Sequence, residues 1–404
     1  MSTEKNNKIR ALFRGQRTTL DAEHRAILEA NRGAVWIHAA SVGEFEQARP
    51  LIEKIVESQK SKVERLKIVV TFFSPSGYEA RKNYDKADAV LYLPFATRRK
   101  AKRFIEALQP SMAIFVKYEF WPAYLRTLKK RGIPTYSISA IFRPTQRFFK
   151  WYGHGSLRLL KCFTHIFVQD EASRRLLAEH GVHDCSVAGD TRFDRVKAVM
   201  ADGLRINGDK LTPIAQFVDG AERVLVAGST WPEDEKLLAQ YTGAKLILVP
   251  HEIDEEHIHA IFNLYKGRVV KYSNISAMPS NMSRLNILQH AQVMVIDTIG
   301  LLSSIYRFGQ VAYIGGGFGV GIHNTIEAAV YGVPVIFGPN YHHFREAQGL
   351  IDAGPARSIK NYNELEAALT TAFEQHEQIG AKAAAYVESE IGATDRIYHA
   401  IFEN

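Results

Sequence analysis

Short apolar runs rich in β-branched residues recur along almost the whole chain, and each gives way to a stretch of helical periodicity. In the first half the strand-like runs fall at residues 35–40, 68–73, 90–93, 112–116, 135–139 and 165–168. Helical patterns lie between them, for example at 46–57, 98–108 and 121–131. The rhythm breaks once, between Asp194 and Gly220, in a polar stretch holding Gly203, Gly208 and Pro213. It restarts with runs at 223–227, 246–249, 269–272, 293–296, 311–314 and 333–337, and the chain from Asn363 onward reads as helix. Alternation of this kind builds βαβ units and a parallel sheet. The expectation is an α/β protein of two Rossmann-like domains, 1–200 and 221–404, joined by a linker at 201–220. Open parallel sheets bind ligands beyond the carboxyl ends of their strands, so two such sheets are expected to face across a cleft.

Composition narrows the function classes. Cys162 and Cys185 are the only cysteines and form no C-x-x-C pair, so neither a disulfide framework nor a cysteine-rich zinc site is expected. A reducing cytoplasm suits such a chain. No apolar run approaches the roughly 18 residues of a membrane span. The formal net charge of +8 points to an acidic partner: phosphates, an anionic membrane face or nucleic acid. Near the start, Lys5, Lys8, Arg10, Arg14 and Arg17 surround Ile9, Leu12 and Phe13. That pattern reads equally as a basic amphipathic helix on anionic lipid or as a frayed terminal helix.

Several segments follow strand-like runs closely enough to meet a ligand. Gly315-Gly316-Gly317 leads through Phe318 to His323-Asn324-Thr325-Ile326-Glu327. Its order is strand, phosphate-sized loop, helix start, where backbone N–H groups and the helix dipole favour an anion. The competing reading is a tight loop with an Asn-x-x-Glu capping box. After the first strand comes Ser41-Val42-Gly43-Glu44. Glu44 there is a candidate base, and Gly43 would let a substrate approach the backbone, but Ser41-x-x-Glu44 is also a capping box, the reading that spacing alone favours. After the fourth strand, Lys117 and Glu119 would share a face if the strand continued, and Pro122 suits the first turn of the next helix. Ser229-Thr230 before Pro232 reads as a helix cap able to hold a phosphate. Asp190-Thr191-Arg192-Phe193-Asp194, just before the break in rhythm, is placed to line the cleft. Arg98-Arg99-Lys100, with Arg143 and Arg147, supplies cations suited to phosphate, although a charge run is more often a solvated face. There is no H-e-x-x-H pattern around His251-Glu252, no Asp-x-Asp pair, no G-x-S-x-G elbow and no nucleic-acid motif.

Taken in order, these segments resemble the Kdo transferase family, which moves 3-deoxy-D-manno-oct-2-ulosonic acid (Kdo) from CMP-Kdo onto a lipid A precursor. The marks are the run from Trp36 to Glu44, Glu119-Phe120-Trp121-Pro122, the run from Gly189 to Asp194, Gly228-Ser229-Thr230, the run from Asp297 to Gly300, and the run from His323 to Glu327 leading to Gly338-Pro339. The resemblance implies a GT-B fold and a metal-independent, inverting transfer without a cofactor. It assigns Glu44 as the general base. Ser41, Gly43, Glu119, Arg98, Arg99, Lys100, Arg143 and Arg147 would meet the phosphorylated lipid IVA acceptor. Ser229, Thr230, His251, Gly316, Gly317, His323, Asn324 and Glu327 would hold CMP-Kdo. It further implies a place on the cytoplasmic face of the inner membrane, with no nucleic-acid partner, and a last helix packed back on the first domain. The chain departs from the family pattern at Lys117, Ala123, His251-Glu252 and Leu301. It also opens without the apolar anchor that members usually carry. Another GT-B enzyme, such as a nucleotide-sugar transferase or epimerase, is the alternative; a basic module binding membrane or nucleic acid is the remaining one.

Overall fold

A computed structural model describes residues 19–59, 65–265 and 267–403, with residues 10, 12, 15 and 16. Most of the basic segment between Lys5 and Arg17 therefore lies outside the described residues. The chain divides into two compact units, Met1–Arg195 with Glu390–Asn404, and Val196–Ser389.

The first unit holds seven parallel strands: β1 Val35–His38, β2 Ile68–Phe72, β3 Ala89–Tyr92, β4 Met112–Val116, β5 Thr135–Ala140, β6 His165–Val168 and β7 Cys185–Val187. Their order across the sheet is β3-β2-β1-β4-β5-β6-β7. Val35 of β1 pairs with Ile68 on one side and Met112 on the other. Side chains alternate between the faces of such a sheet. Val35 and Ile37 accordingly join the core that includes Phe45, Leu51 and Ile55 of the helix Val42–Ser58, and Ile397 and Ile401 of the helix Ala393–Phe402. Trp36 joins the opposite core, with Phe104 and Leu108 of the helix Arg98–Leu108 and Tyr124 and Leu128 of the helix Pro122–Lys130. The strands carry apolar residues on both faces because both faces are covered.

The last helix is tied down by polar contacts as well. Asp194 accepts hydrogen bonds from the backbone N–H of Gly392 and of Thr394, each at 2.7 Å, and Arg396 Nε donates to the Ala188 carbonyl at 2.9 Å.

The second unit repeats the plan with β8 Val224–Thr230, β9 Lys245–Pro250, β10 Val269–Lys271, β11 Val293–Val295, β12 Val311–Ile314, β13 Val335–Phe337 and β14 Ala356–Ser358, in the order β10-β11-β9-β8-β12-β13-β14. The stretch expected as a linker is helical: a helix runs from Thr191 to Val218 and contains both Pro213 and the boundary between the units. β7 and β14, absent from the sequence reading, are three-residue edge strands.

In each sheet the strand order reverses beside the first strand, between β1 and β4 and between β8 and β12. Ligands of open α/β sheets bind at such switch points. The polar segments singled out above follow these four strands: Ser41 to Glu44 after β1, Glu119 after β4, Ser229-Thr230 at the end of β8, and the glycine loop after β12.

Candidate active site

In the first unit the site begins with a helix start. Ser41 caps the helix Val42–Ser58, and its hydroxyl accepts from the Glu44 N–H at 3.4 Å. Glu44 folds back so that Oε2 accepts from the Ser41 N–H at 3.0 Å and from its hydroxyl at 3.2 Å. The capping box is therefore real, and it does a second thing: it fixes one carboxylate oxygen. Burial, then the negative charge of Glu119, push the Glu44 carboxyl above its ordinary range; the Ser41 hydrogen bonds and His38 oppose this only in part. A carboxylate so raised is a stronger base than a free one. Gly43 is exposed, and a methyl group there would meet no atom within 4 Å, so the surface beside Glu44 is open.

Glu119 sits on the loop after β4, where Lys117 adopts a left-handed φ of 59°. That turn ends the strand at Val116, so Lys117 and Glu119 do not share a strand face. Glu119 Oε2 accepts from Trp121 Nε1 and lies 3.1 Å from Nε2 of the fully buried His38. The donors fall into a directed chain. Trp36 Nε1 donates to Thr71 Oγ1 at 2.8 Å, that hydroxyl can donate to His38 Nδ1 at 2.9 Å, and His38 Nε2 donates to Glu119. Nδ1 also lies 3.1 Å from the Thr71 carbonyl. Sequence reasoning passed over His38 as a site residue. Its signal was a polar side chain closing an otherwise apolar strand.

The segment Asp190 to Asp194 holds the helix start in place rather than lining a surface. Fully buried Asp190 accepts from Gln47 Nε2 at 3.0 Å, one turn beyond Glu44, and from the Arg192 guanidinium at 2.7 and 2.9 Å. Burial raises the Asp190 carboxyl, but the Arg192 charge and the hydrogen bonds outweigh it and hold it below its ordinary value. Thr191 Oγ1 donates to the Gln47 carbonyl at 2.6 Å.

The basic candidates separate. Arg98, Arg99 and Lys100 form the first turn of the helix Arg98–Leu108, and Lys100 lies over the Phe95 ring. Arg143 and Arg147 belong to the loop after β5, beside the cluster of Phe142, Phe148 and Phe149.

In the second unit the glycine loop is shaped by backbone contact. A Cβ on Gly315 would stand 2.3 Å from the Ser229 carbonyl oxygen, and one on Gly317 would stand 2.6 Å from Gly338 N. The Gly316 N–H is already used: it donates to Asp234 Oδ2 at 2.8 Å. Asp234 also accepts from Tyr313 Oη at 2.7 Å and from the Trp231 N–H at 3.0 Å. Burial raises its carboxyl despite these three donors. The helix after β8 is therefore capped at Trp231, with Asp234 folding back, and not by Ser229 or Thr230. The strand runs on through both residues. Thr230 is fully buried and donates to Glu235 Oε1 at 2.9 Å, while His257 Nε2 lies 2.9 Å from Glu235 Oε2. Ser229, at φ 53°, makes the sharp turn at the strand edge.

Above this edge three rings stack. Exposed His251 lies between Trp231, at 4.8 Å, and His323, at 4.4 Å. Trp231 Nε1 donates to His323 Nε2 at 3.2 Å, which requires that nitrogen to be unprotonated. Burial, with the charge of His251 beside it, lowers His323 to about 4, in agreement. The Asn324–Glu327 capping box does not form. The helix Ile326–Ala329 starts one residue later than expected, at a Thr325 cap. Asn324 Oδ1 accepts from the Ile326 N–H, and its amide donates to Glu327 Oε1 at 3.0 Å.

Two open parallel sheets, each with polar groups at its switch point, define the fold class as GT-B. The solved UDP-GlcNAc 2-epimerase of Neisseria meningitidis, bound to UDP-GlcNAc, has this fold; it covers 92% of this chain and 100% of its own with a TM-score of 0.62, at 16% identity. Residues 14–195 match the family model described as 3-deoxy-D-manno-octulosonic-acid transferase (kdotransferase). The 3-deoxy-D-manno-octulosonic acid transferase of Rickettsia felis is 27% identical over 371 residues, 88% of this chain and 75% of that one. The enzyme of the same name from Aquifex aeolicus is 26% identical over 345 residues, 84% and 86% of the two chains. Over most of its length the chain is similar to these Kdo transferases.

Proposed function

We propose that the protein transfers Kdo from CMP-Kdo to lipid IVA in lipopolysaccharide synthesis. Glu44 takes the proton of an acceptor hydroxyl. The hydroxyl oxygen bonds to the anomeric carbon of Kdo while the bond from that carbon to the CMP phosphate oxygen breaks, and the electron pair leaves with CMP. Attack opposite the leaving group inverts the configuration. The observation that carries this reading is the Glu44 carboxylate, raised by burial and by Glu119, with one oxygen tied at a helix start beside open surface.

Ser41 fixes Glu44, while Gly43 and Glu119 face the acceptor. On the donor side Ser229, Gly317, His323, Asn324 and Glu327 meet CMP-Kdo, and His251 presents its ring. Thr230 and Gly316 support the site from within, through Glu235 and Asp234. Oriented N–H groups stabilise the departing phosphate, so the reaction needs no metal. The positively charged chain works at the cytoplasmic side of the inner membrane, where each basic group near anionic lipid contributes about 1 kcal/mol. No helix among the described residues is long and apolar enough to cross a membrane.

The test is incubation with CMP-Kdo and lipid IVA, followed by mass spectrometry of the lipid. Addition of one or more Kdo residues is expected. An unchanged lipid, with calorimetric binding of UDP in place of CMP, would move the protein to a different GT-B chemistry.

A further inference from the structure

A groove of about 840 Å³ lies between the helices Arg98–Leu108 and Pro122–Lys130 of the first unit. Arg98, Lys102 and Glu106 line one wall, one helical turn apart; Arg126, Lys130 and Arg131 line the other. The wall has five cations and a single carboxylate. Glu106 is spent at one end, 2.6 Å from Arg131 and 3.8 Å from Lys102. Among the described residues no carboxylate pairs with Arg98, Arg126 or Lys130, and all three are exposed.

This arrangement is unfavourable while empty. Arg98–Lys102 and Arg126–Lys130 are like-charge pairs at i, i+4, which destabilise a helix. Arg98, Arg99 and Lys100 also crowd the first turn of a helix with no acidic residue there. That is the positive end of the helix dipole, the end that favours anions. A bound dianion would relieve both.

Location and size identify the ligand further. The end of the groove nearest the strand edges is Ala96, Pro122 and Ala123, which present no charge. Pro122 follows Glu119 by three residues, and β4 adjoins β1, whose carboxyl edge carries Glu44. The volume far exceeds a phosphate ion and falls among sites for whole small molecules, about 300–1,000 Å³. We propose that this groove holds the phosphomonoester-bearing sugar head of the acceptor lipid, with Arg98, Arg126 and Lys130 on the phosphate. The identity of the lipid rests on the Kdo-transfer reading; the anion groove does not.

The experiment compares wild type with the triple variant Arg98→Ala, Arg126→Ala, Lys130→Ala, its fold checked by circular dichroism and thermal melting. Binding is measured to detergent micelles carrying lipid IVA, the same lipid after phosphatase treatment, or phosphatidylglycerol. Wild type should bind the phosphorylated lipid at least about tenfold more tightly than the dephosphorylated one, the order expected for charge-assisted contacts, and the variant should lose that preference. The acceptor KM should rise by a similar factor while the CMP-Kdo KM stays. A preference retained in the variant overturns the proposal. So does equal wild-type affinity for phosphatidylglycerol, which would mean a general anionic surface, or for inorganic phosphate alone, which would mean that the lipid head adds nothing. Transfer by both proteins with one acceptor KM would sink the groove and leave the function standing. Selective lipid binding without any Kdo transfer would do the reverse.

Discussion

Glu44 serves both a helix cap and, in our reading, a proton transfer, and two substitutions separate these roles. Glu44→Gln keeps a side-chain oxygen able to accept from the Ser41 N–H, so the cap persists while the base is lost. Glu44→Ala loses both. Loss of the cap contact should cost about 1 kcal/mol, within the range for helix caps. For a unit of this size that lowers the melting temperature by roughly 2–4 °C. Loss of a general base lowers kcat by roughly 10²–10⁴. The raised carboxyl adds a sign that can be checked. Between the ordinary Glu value and the raised folded value the native state holds the extra proton, so stability falls as pH rises through that window. Glu44→Gln has no such proton, and at neutral pH its melting temperature should match or exceed that of wild type. Thermal melts across pH, with a mass-spectrometric transfer assay, measure all of this. The reasoning fails if Glu44→Gln transfers Kdo at the wild-type rate, or if it melts well below Glu44→Ala.

Three further outcomes follow from the same geometry. Glu119→Gln removes the second-largest cause of the Glu44 shift, so the acid limb of the kcat profile should move to lower pH; an unmoved limb would contradict the coupling. Asp190→Ala removes the buried carboxylate that Arg192 and Gln47 both donate to, and should destabilise the first unit by about 3–5 kcal/mol, as broken buried pairs do; a chemical denaturation curve within about 1 kcal/mol of wild type would contradict the tie. Gly317→Ala puts a methyl group 2.6 Å from Gly338 N, so CMP binding by calorimetry and the melting temperature should fall together; unchanged CMP affinity would remove the loop from the donor site.

Most of the fold was readable because a doubly covered parallel sheet writes each strand as a continuous apolar run. The edge strands β7 and β14 were not, since three residues bearing Ser or Arg and partly exposed leave no run to read. The helix Thr191–Val218 was hidden by three breakers, Gly203, Gly208 and Pro213, which the structure accommodates within one helix. At the site, Glu44 and the glycine loop were visible as motifs after strands. His38 and Asp234 were not, because their partners lie 81 and 82 residues away, at Glu119 and Gly316. Contacts of that range depend on strand order, which periodicity does not encode. The cap at Trp231 was misassigned to Ser229-Thr230 because hydroxyl residues before a proline imitate a cap even while they finish a strand.

The close approach of Gly315 to Ser229 and of Gly317 to Gly338 joins the ends of β8, β12 and β13 main chain to main chain. Such a seam has no side chains to trade, so it cannot be reshaped by gradual substitution. The side chains standing on top of it here are Trp231, His251 and His323. In our reading of the donor site, a library confined to those three, with the glycines untouched, is where altered donor choice should first appear.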